Sequence, residues 1–229
     1  MSKTILIVAA HPDDEVLGCG GTIQKHVSNG DYVYVVILGE GQVARFTQKN
    51  EETAAAVSLL SQNSQMVASL LKITKLFSSS FSDNRFDSVD LLDIVKCVEQ
   101  VKDDISPDII YTHHAGDLNI DHQRTFQAVL TAFRPKPGEK NHSLFAFETL
   151  SSTECQAPDA HLVFRPDYFV ELNQSQVALK CRAMALYPTE NSKYPHPRSE
   201  QGIKNLAAFR GNMIGKEWAE AFETIRVIT

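Results

Sequence analysis

The chain has 229 residues, 43% of them hydrophobic and 22% charged, with a formal net charge of -6. That length suits one substantial core rather than two large ones, so residues 1–229 are expected to form a single domain. The composition is that of an ordinary globular protein, and the acid excess argues against nucleic acid or an anionic membrane as partner, leaving small molecules.

The elements read in chain order as follows. Ile5 to Ala10 is a continuous apolar run of strand length that breaks into His11-Pro-Asp13-Asp14-Glu15. From Asp14 to about His26, Val16, Gly20, Ile23 and Val27 recur at helical spacing, and Asn29-Gly30 supplies the stop. Tyr32 to Leu38 is a β-branched and aromatic strand, completing a crossover unit of right hand. The stretch from about Glu51 to Leu71 is helical, Ile73 to Phe77 is a third strand, and Ser78 to Asp87 is a polar loop. A surface helix runs from about Ser88 to Val101, and Ile109 to Thr112 is a fourth strand. The second polar cluster, His113-His114-Ala-Gly116-Asp117-Leu-Asn119-Ile-Asp121-His122, opens a helix reaching about Phe133. Ser143 to Leu150 and Tyr168 to Leu172 are later strands, and Ser175 to Leu186 is a helix. Pro188 to Ser199 is a proline-punctuated loop carrying Tyr194, His196 and Arg198. A last helix spans about Glu200 to Arg210, followed by a segment with Trp218 and Phe222 and a short run from Ile225 to Ile228. Strands alternating with helices predict an α/β fold: a Rossmann-like, doubly wound, mostly parallel sheet with helices on both faces.

The scattered cysteines Cys19, Cys97, Cys155 and Cys181 form no C-x-x-C pair, which fits thiols kept reduced in the cytoplasm. The N-terminal apolar run meets His11 without a small-residue cleavage site, and no stretch is long enough for a bilayer, so neither export nor a membrane span is expected. Oligomeric state, including a homo-oligomer, stays open.

Both polar clusters fall where a strand hands over to a helix, which in an open α/β sheet is the ligand-binding edge. His11 and Asp14 are three apart, a spacing that brings both side chains to one side of a first helical turn. Imidazole nitrogen and carboxylate oxygen suit zinc, a catalytic zinc takes three protein ligands, and His122 is the best candidate for the third. The same donors suit iron, cobalt or manganese. The competing reading makes Asp13, Asp14 and Glu15 helix-start acids answering the dipole. If Asp14 is a ligand, its neighbour Asp13 is free to act as a base toward water. Arg45, Arg85 and Arg198 lie in loops near this edge and suit a phosphate or carboxylate on a substrate. Gly18, Gly20 and Gly21 lack dinucleotide-site spacing and serve close helix-to-strand packing instead. No G-x-S-x-G elbow is present for serine hydrolysis.

With A-H-P-D-D-E-x-L-G-C-G-G-T at 10–22 and G-D-L-N-I-D-H at 116–122, the chain resembles the LmbE-like, or PIG-L, de-N-acetylases, zinc amidohydrolases acting on N-acetylated sugars. Weaker echoes are F-x-D-N-R-F-D at 81–87, F-E-T-L-S-S-T at 147–153, K-x-x-A-x-x-x-Y at 180–187, H-P-R-S from 196 and A-E-A-F to 222. The resemblance implies that His11, Asp14 and His122 hold zinc, that Asp13 is the general base, and that Asp121 supports a ligand from behind or orients a catalytic histidine. It also implies a Rossmann-like sheet and an N-acetylated sugar, free, nucleotide-linked or lipid-linked, as substrate. Two positions depart from the family pattern. Many relatives have histidine where this chain has Asn119, and an amide donates a hydrogen bond to an oxyanion without delivering a proton. The acid is then a protonated Asp13 or one of His113, His114 and His196. Relatives often carry Arg and Glu where this chain has Ser61-Gln62, which alters substrate contacts. The expected catalytic set is Asp13, Asn119 and Asp121, with Arg45, His114, Asp117, Tyr194, His196 and Arg198 as substrate contacts. A metal amidase acting on a non-sugar N-acyl amine and a non-catalytic metal-binding homologue are the alternatives.

Overall fold

The structure, a computed structural model, describes residues 2–41, 51–159 and 161–228. Its centre is strand β1 (Thr4–Ala9), whose apolar run is buried on both faces because helices cover both sides of the sheet. The sheet has seven strands in the order β3-β2-β1-β4-β5-β7-β6. β2 (Tyr32–Gly39), β3 (Lys75–Phe81), β4 (Ile109–His113) and β5 (Ser143–Phe147) continue the parallel half. β7 (Trp218–Arg226) runs antiparallel between β5 and the edge strand β6 (Tyr168–Leu172). The mostly parallel α/β reading holds, with this mixed end added.

Helices α1 (Asp14–Ser28), α2 (Glu51–Leu70), α5 (Gln174–Ala185) and α6 (Glu200–Asn212) share one core with Ile5, Ile7, Val33 and Val35. Helices α3 (Leu91–Ile105) and α4 (Ile120–Ala132) cover the other face over Leu6, Val8, Val36 and Ile110. Alternate residues of β1 therefore feed opposite cores, as a period of two requires. Close packing of α1 depends on missing side chains: a Cβ at Gly18 would lie 2.3 Å from Phe147 Cδ2, and one at Gly21 would lie 2.3 Å from Leu172 Cδ1.

Two elements differ from the sequence reading. The serines at 78–80 belong to β3 rather than to a loop. β3 is an edge strand whose ladder to β2 is made by backbone, so small polar side chains are tolerated there. That extension delivers Asp83 and Asn84 to the carboxyl edge of the sheet. The Trp218 segment and the start of the final run, as far as Arg226, are one strand, β7, whose Ala219, Ala221 and Phe222 are core residues. Among the described residues no helix is long and apolar enough to cross a membrane, and the four cysteines are free thiols.

Candidate active site

The chain leaves β1 through His11 and enters α1 at Asp14, with Pro12 between and Asp13 as the N-cap. Asp13 has φ 110°, a left-handed conformation that costs a non-glycine residue about 1–3 kcal/mol and is characteristic of functional sites. It is held there from every side. Its amide donates to Glu15 Oε2 at 3.0 Å, its carbonyl accepts from Val16 and Leu17, and its Oδ2 accepts from Arg198 Nη1 at 2.7 Å. Glu15 in turn accepts the Tyr187 hydroxyl at 2.6 Å.

Asp14, 1% exposed, is the focus of three imidazoles. Its Oδ2 lies 3.4 Å from His11 Nδ1, 3.3 Å from His122 Nε2 and 3.4 Å from His113 Nε2. Only the first two rings are open to a cation. The Ala10 amide donates to His113 Nε2 at 2.9 Å and Nδ1 lies 3.3 Å from Thr149 Oγ1, so His113 is a neutral ring whose lone pair is already used. Burial and the neighbouring His122 lower its pKa to about 4, outweighing Asp14. Ligand atoms of His11, Asp14 and His122 lie within 4.8 Å of one another, all buried.

The surroundings fit a metal. Asp121, wholly buried, accepts from His11 Nε2 at 2.9 Å and from the amides of Asn84 and Phe86 at 2.6 and 2.9 Å. A carboxylate on one ring nitrogen turns the other toward a cation, the arrangement usual for ligating histidines. His122 Nδ1 lies 3.0 Å from Asp117 Oδ1 without the alignment of a hydrogen bond. Burial opposes charge on both rings, but Asp121, Asp14 and Asp83 push His11 up to about 10, and Asp14 and Asp117 push His122 up to about 9. The pocket thus draws positive charge to the two imidazoles, as a divalent cation would satisfy it. Burial raises the Asp14 carboxyl, yet His122, His113 and His11 hold it well below the usual range. Asp13 goes the other way: burial raises it, Arg198 counters, and Asp14, Glu190 and Glu15 add to the rise.

A cleft of about 340 Å³ opens beside this cluster, lined among others by His11, Asp13, Asp83, Asn119, Glu190 and Arg198. Asn119 caps α4: its Oδ1 accepts from the Asp121 amide at 2.8 Å, while Nδ2 donates to Asn84 Oδ1 at 3.2 Å. Its amide orientation is therefore fixed.

Of the expected substrate contacts, Arg198 alone among the described residues lines this cleft, and there its guanidinium is engaged with Asp13 and Glu190. His114 turns inward, with Nδ1 2.7 Å from Glu223 and Nε2 2.9 Å from the Leu162 carbonyl. Burial works against its charge, but those acceptors raise its pKa. Asp117 also turns inward, because the hydroxyls of Ser152 and Thr153 and the Asn119 amide take its oxygens. Tyr194, 66% exposed, and His196, which accepts from the Arg198 amide, stand on the outside of their loop. Arg45 lies outside the described residues. As acids, His113 and His114 are therefore unsuited. Sequence reading assigned no catalytic or binding role to Glu15, Tyr187, Asp83, Asn84 and Glu190, although the first four sit in motifs it noticed.

A Rossmann-like sheet with a buried His-Asp-His trio at its carboxyl edge, beside a separately held carboxylate, defines an α/β protein with a metal-competent centre. The chain belongs to the PIG-L family: the family model described as GlcNAc-PI de-N-acetylase matches residues 6–133. Over 189 residues it is 26% identical to the uncharacterized deacetylase YaiS of Escherichia coli K12, covering 80% of this chain and 89% of that one. The fold matches N,N'-diacetylchitobiose deacetylase from Pyrococcus horikoshii, solved with its inhibitor, at a TM-score of 0.78 and 18% identity, covering 98% and 84%. It also matches GalB, the 4-carboxy-2-hydroxymuconate hydratase of Pseudomonas putida KT2440, at 0.74 and 23% identity, covering 99% and 98%.

Proposed function

We propose that the protein is a zinc-dependent de-N-acetylase that hydrolyses the acetamido group of an N-acetylated sugar, free or carried on a nucleotide or lipid, to acetate and an amino sugar. The observation that carries this reading is the convergence of His11, Asp14 and His122 next to Asp13 in a chain of the PIG-L family. Because a hydratase shares the fold, the reaction rests on the site and not on the architecture.

His11 Nδ1, Asp14 Oδ2 and His122 Nε2 would hold the ion, with Asp121 fixing the His11 ring. Zinc in such a site supplies Lewis acidity, acidifying water and polarising a carbonyl. Asp13 takes a proton from the attacking water and returns it to the departing amine, since neither His113 nor His114 has a ring nitrogen to offer and His196 stands outside the cleft. Burial raises the Asp13 carboxyl above the ordinary carboxylate range, which favours its taking up a proton. Asn119 lines the cleft and has a second amide N–H beyond the one given to Asn84, which would serve the tetrahedral oxygen as a donor. Free thiols at Cys97 and Cys155 fit a cytoplasmic setting.

The test is acetate release by the zinc-loaded protein from free, nucleotide-linked and lipid-linked N-acetyl sugars, with Asp13→Asn run beside it. Release from one class, lost by roughly 10²-fold or more in the variant while zinc stays bound, is expected. Near-normal turnover in Asp13→Asn removes that residue from its role. Silence across the panel with one zinc bound favours a non-sugar amide or a homologue without turnover.

A further inference from the structure

The carboxylate of the proposed base accepts a hydrogen bond from a residue, Arg198, that the matched family region, which ends at 133, does not contain. We propose that Arg198 is a positioning residue for Asp13 rather than an anchor for an anionic substrate. This inference rests on the functional reading above only in taking Asp13 as the base.

The geometry is specific. Arg198 Nε donates to Ser151 Oγ at 2.6 Å and to the Leu150 carbonyl at 3.4 Å, which orients the guanidinium plane from the loop after β5. Nη1 then reaches Asp13 Oδ2 at 2.7 Å and Glu190 Oε2 at 3.4 Å. The Arg198 side chain is 19% exposed and that of Asp13 is 3% exposed, so the pair is largely withdrawn from solvent, where a charge-assisted bond is strong and directional. With Oδ2 fixed and the backbone of Asp13 fixed by Glu15, the carboxylate cannot rotate, and Oδ1 is the oxygen left for water. A substrate phosphate at Arg198 would meet a guanidinium whose Nη1 already faces two carboxylates and whose Nε is taken by Ser151. The fork is needed as well as the charge, since lysine cannot bond Ser151 and Asp13 from one planar group.

The experiment is a cycle of Arg198→Ala, Arg198→Lys, Asp13→Asn and the Arg198→Ala/Asp13→Asn double variant in the full chain. On the best substrate of the panel, Arg198→Ala is expected to lower kcat by roughly 10²-fold, the scale of a misplaced reacting group. KM is expected to stay within about threefold for neutral and anionic substrates alike, and the double variant to be no slower than Asp13→Asn. Arg198→Lys should fold and recover only part of the rate, and added guanidinium ion should restore turnover to Arg198→Ala. A separate readout needs no activity: urea unfolding of the same four proteins. Asp13→Asn should restore stability lost in Arg198→Ala, because it removes a carboxylate that has lost its cation. The proposal is overturned by a KM rise confined to anionic substrates, by rate losses that multiply in the double variant, or by urea midpoints that shift additively. Absence of any hydrolysis by the unsubstituted protein counts against the functional reading alone, and the urea cycle still decides the Arg198 to Asp13 contact.

Discussion

Lysine 180 offers the sharpest test of how the site is supported. It is 3% exposed, and its Nζ lies 2.6 Å from Glu220 Oε1 and 2.8 Å from the Leu17 carbonyl in the first turn of α1. Glu220 in turn accepts from the amides of Gly21 at 2.9 Å and Thr22 at 2.7 Å. Leu17 and Gly21 are i and i+4, so the ion pair is inserted into the hydrogen-bond ladder of the helix whose first residue is Asp14. Lys180→Met keeps the buried stem and removes the ammonium. Losing one member of a buried pair costs about 3–5 kcal/mol, and the two amides still on Glu220 place this case near about 3 kcal/mol. For a chain of this length that corresponds to a Tm lower by about 6–12 °C. The assay is urea and thermal unfolding at fixed zinc concentration, since bound ligand adds its own stabilisation. Lys180→Met/Glu220→Gln, which leaves no unpaired charge, should lose less than Lys180→Met. A Lys180→Met protein within about 1 kcal/mol of the parent would refute the view that the pair is a desolvated charge contact.

The remaining expectations concern packing and pH. Gly18→Ala drives a methyl into Phe147 and should cost about 1–3 kcal/mol, read from the urea midpoint; an unchanged midpoint would show that Phe147 moves freely. Asp117 has its folded-state carboxyl at about 2: burial raises it, and His122, Ser152 and Thr153 more than reverse that. Depressed below its unfolded value, it contributes stability that is complete above about pH 5 and lost as pH falls from about 4 through 2, about 2 kcal/mol in all. The stability gap between the parent and Asp117→Asn should therefore shrink by that amount across the acid range, and a gap constant with pH would argue against the assignment.

The clustering of His11, Asp14 and His122 was legible in the sequence because its chemistry is local at each of two strand ends. His11 and Asp14 share one turn and His122 opens the next equivalent helix, so the topology of a parallel sheet brings them together. Arg198 was legible as a cation in the right loop but not in its role, because its partner Asp13 is 185 residues away and no local pattern encodes that pairing. His114 and Asp117 misled for the opposite reason: polar residues next to a proposed ligand in sequence look like site residues, yet here their hydrogen bonds point into the protein. Asp83 and Asn84 were hidden by the serines before them, since an edge strand has no apolar signature to announce where it ends.

The placement of β7 has a consequence for the order in which the molecule can be completed. β1 to β5 form a contiguous parallel block, so a nascent chain can assemble it from neighbours already made. β6 cannot join that block on its own, because the strand that bridges it to β5 is synthesised later. Every proposed zinc ligand lies within the early block, while Glu220, which grips α1 from β7, arrives near the end. Growing chains released before that strand emerges should thus acquire the ligands without the brace, and would present an unpaired β5 edge to other chains until β7 closes it.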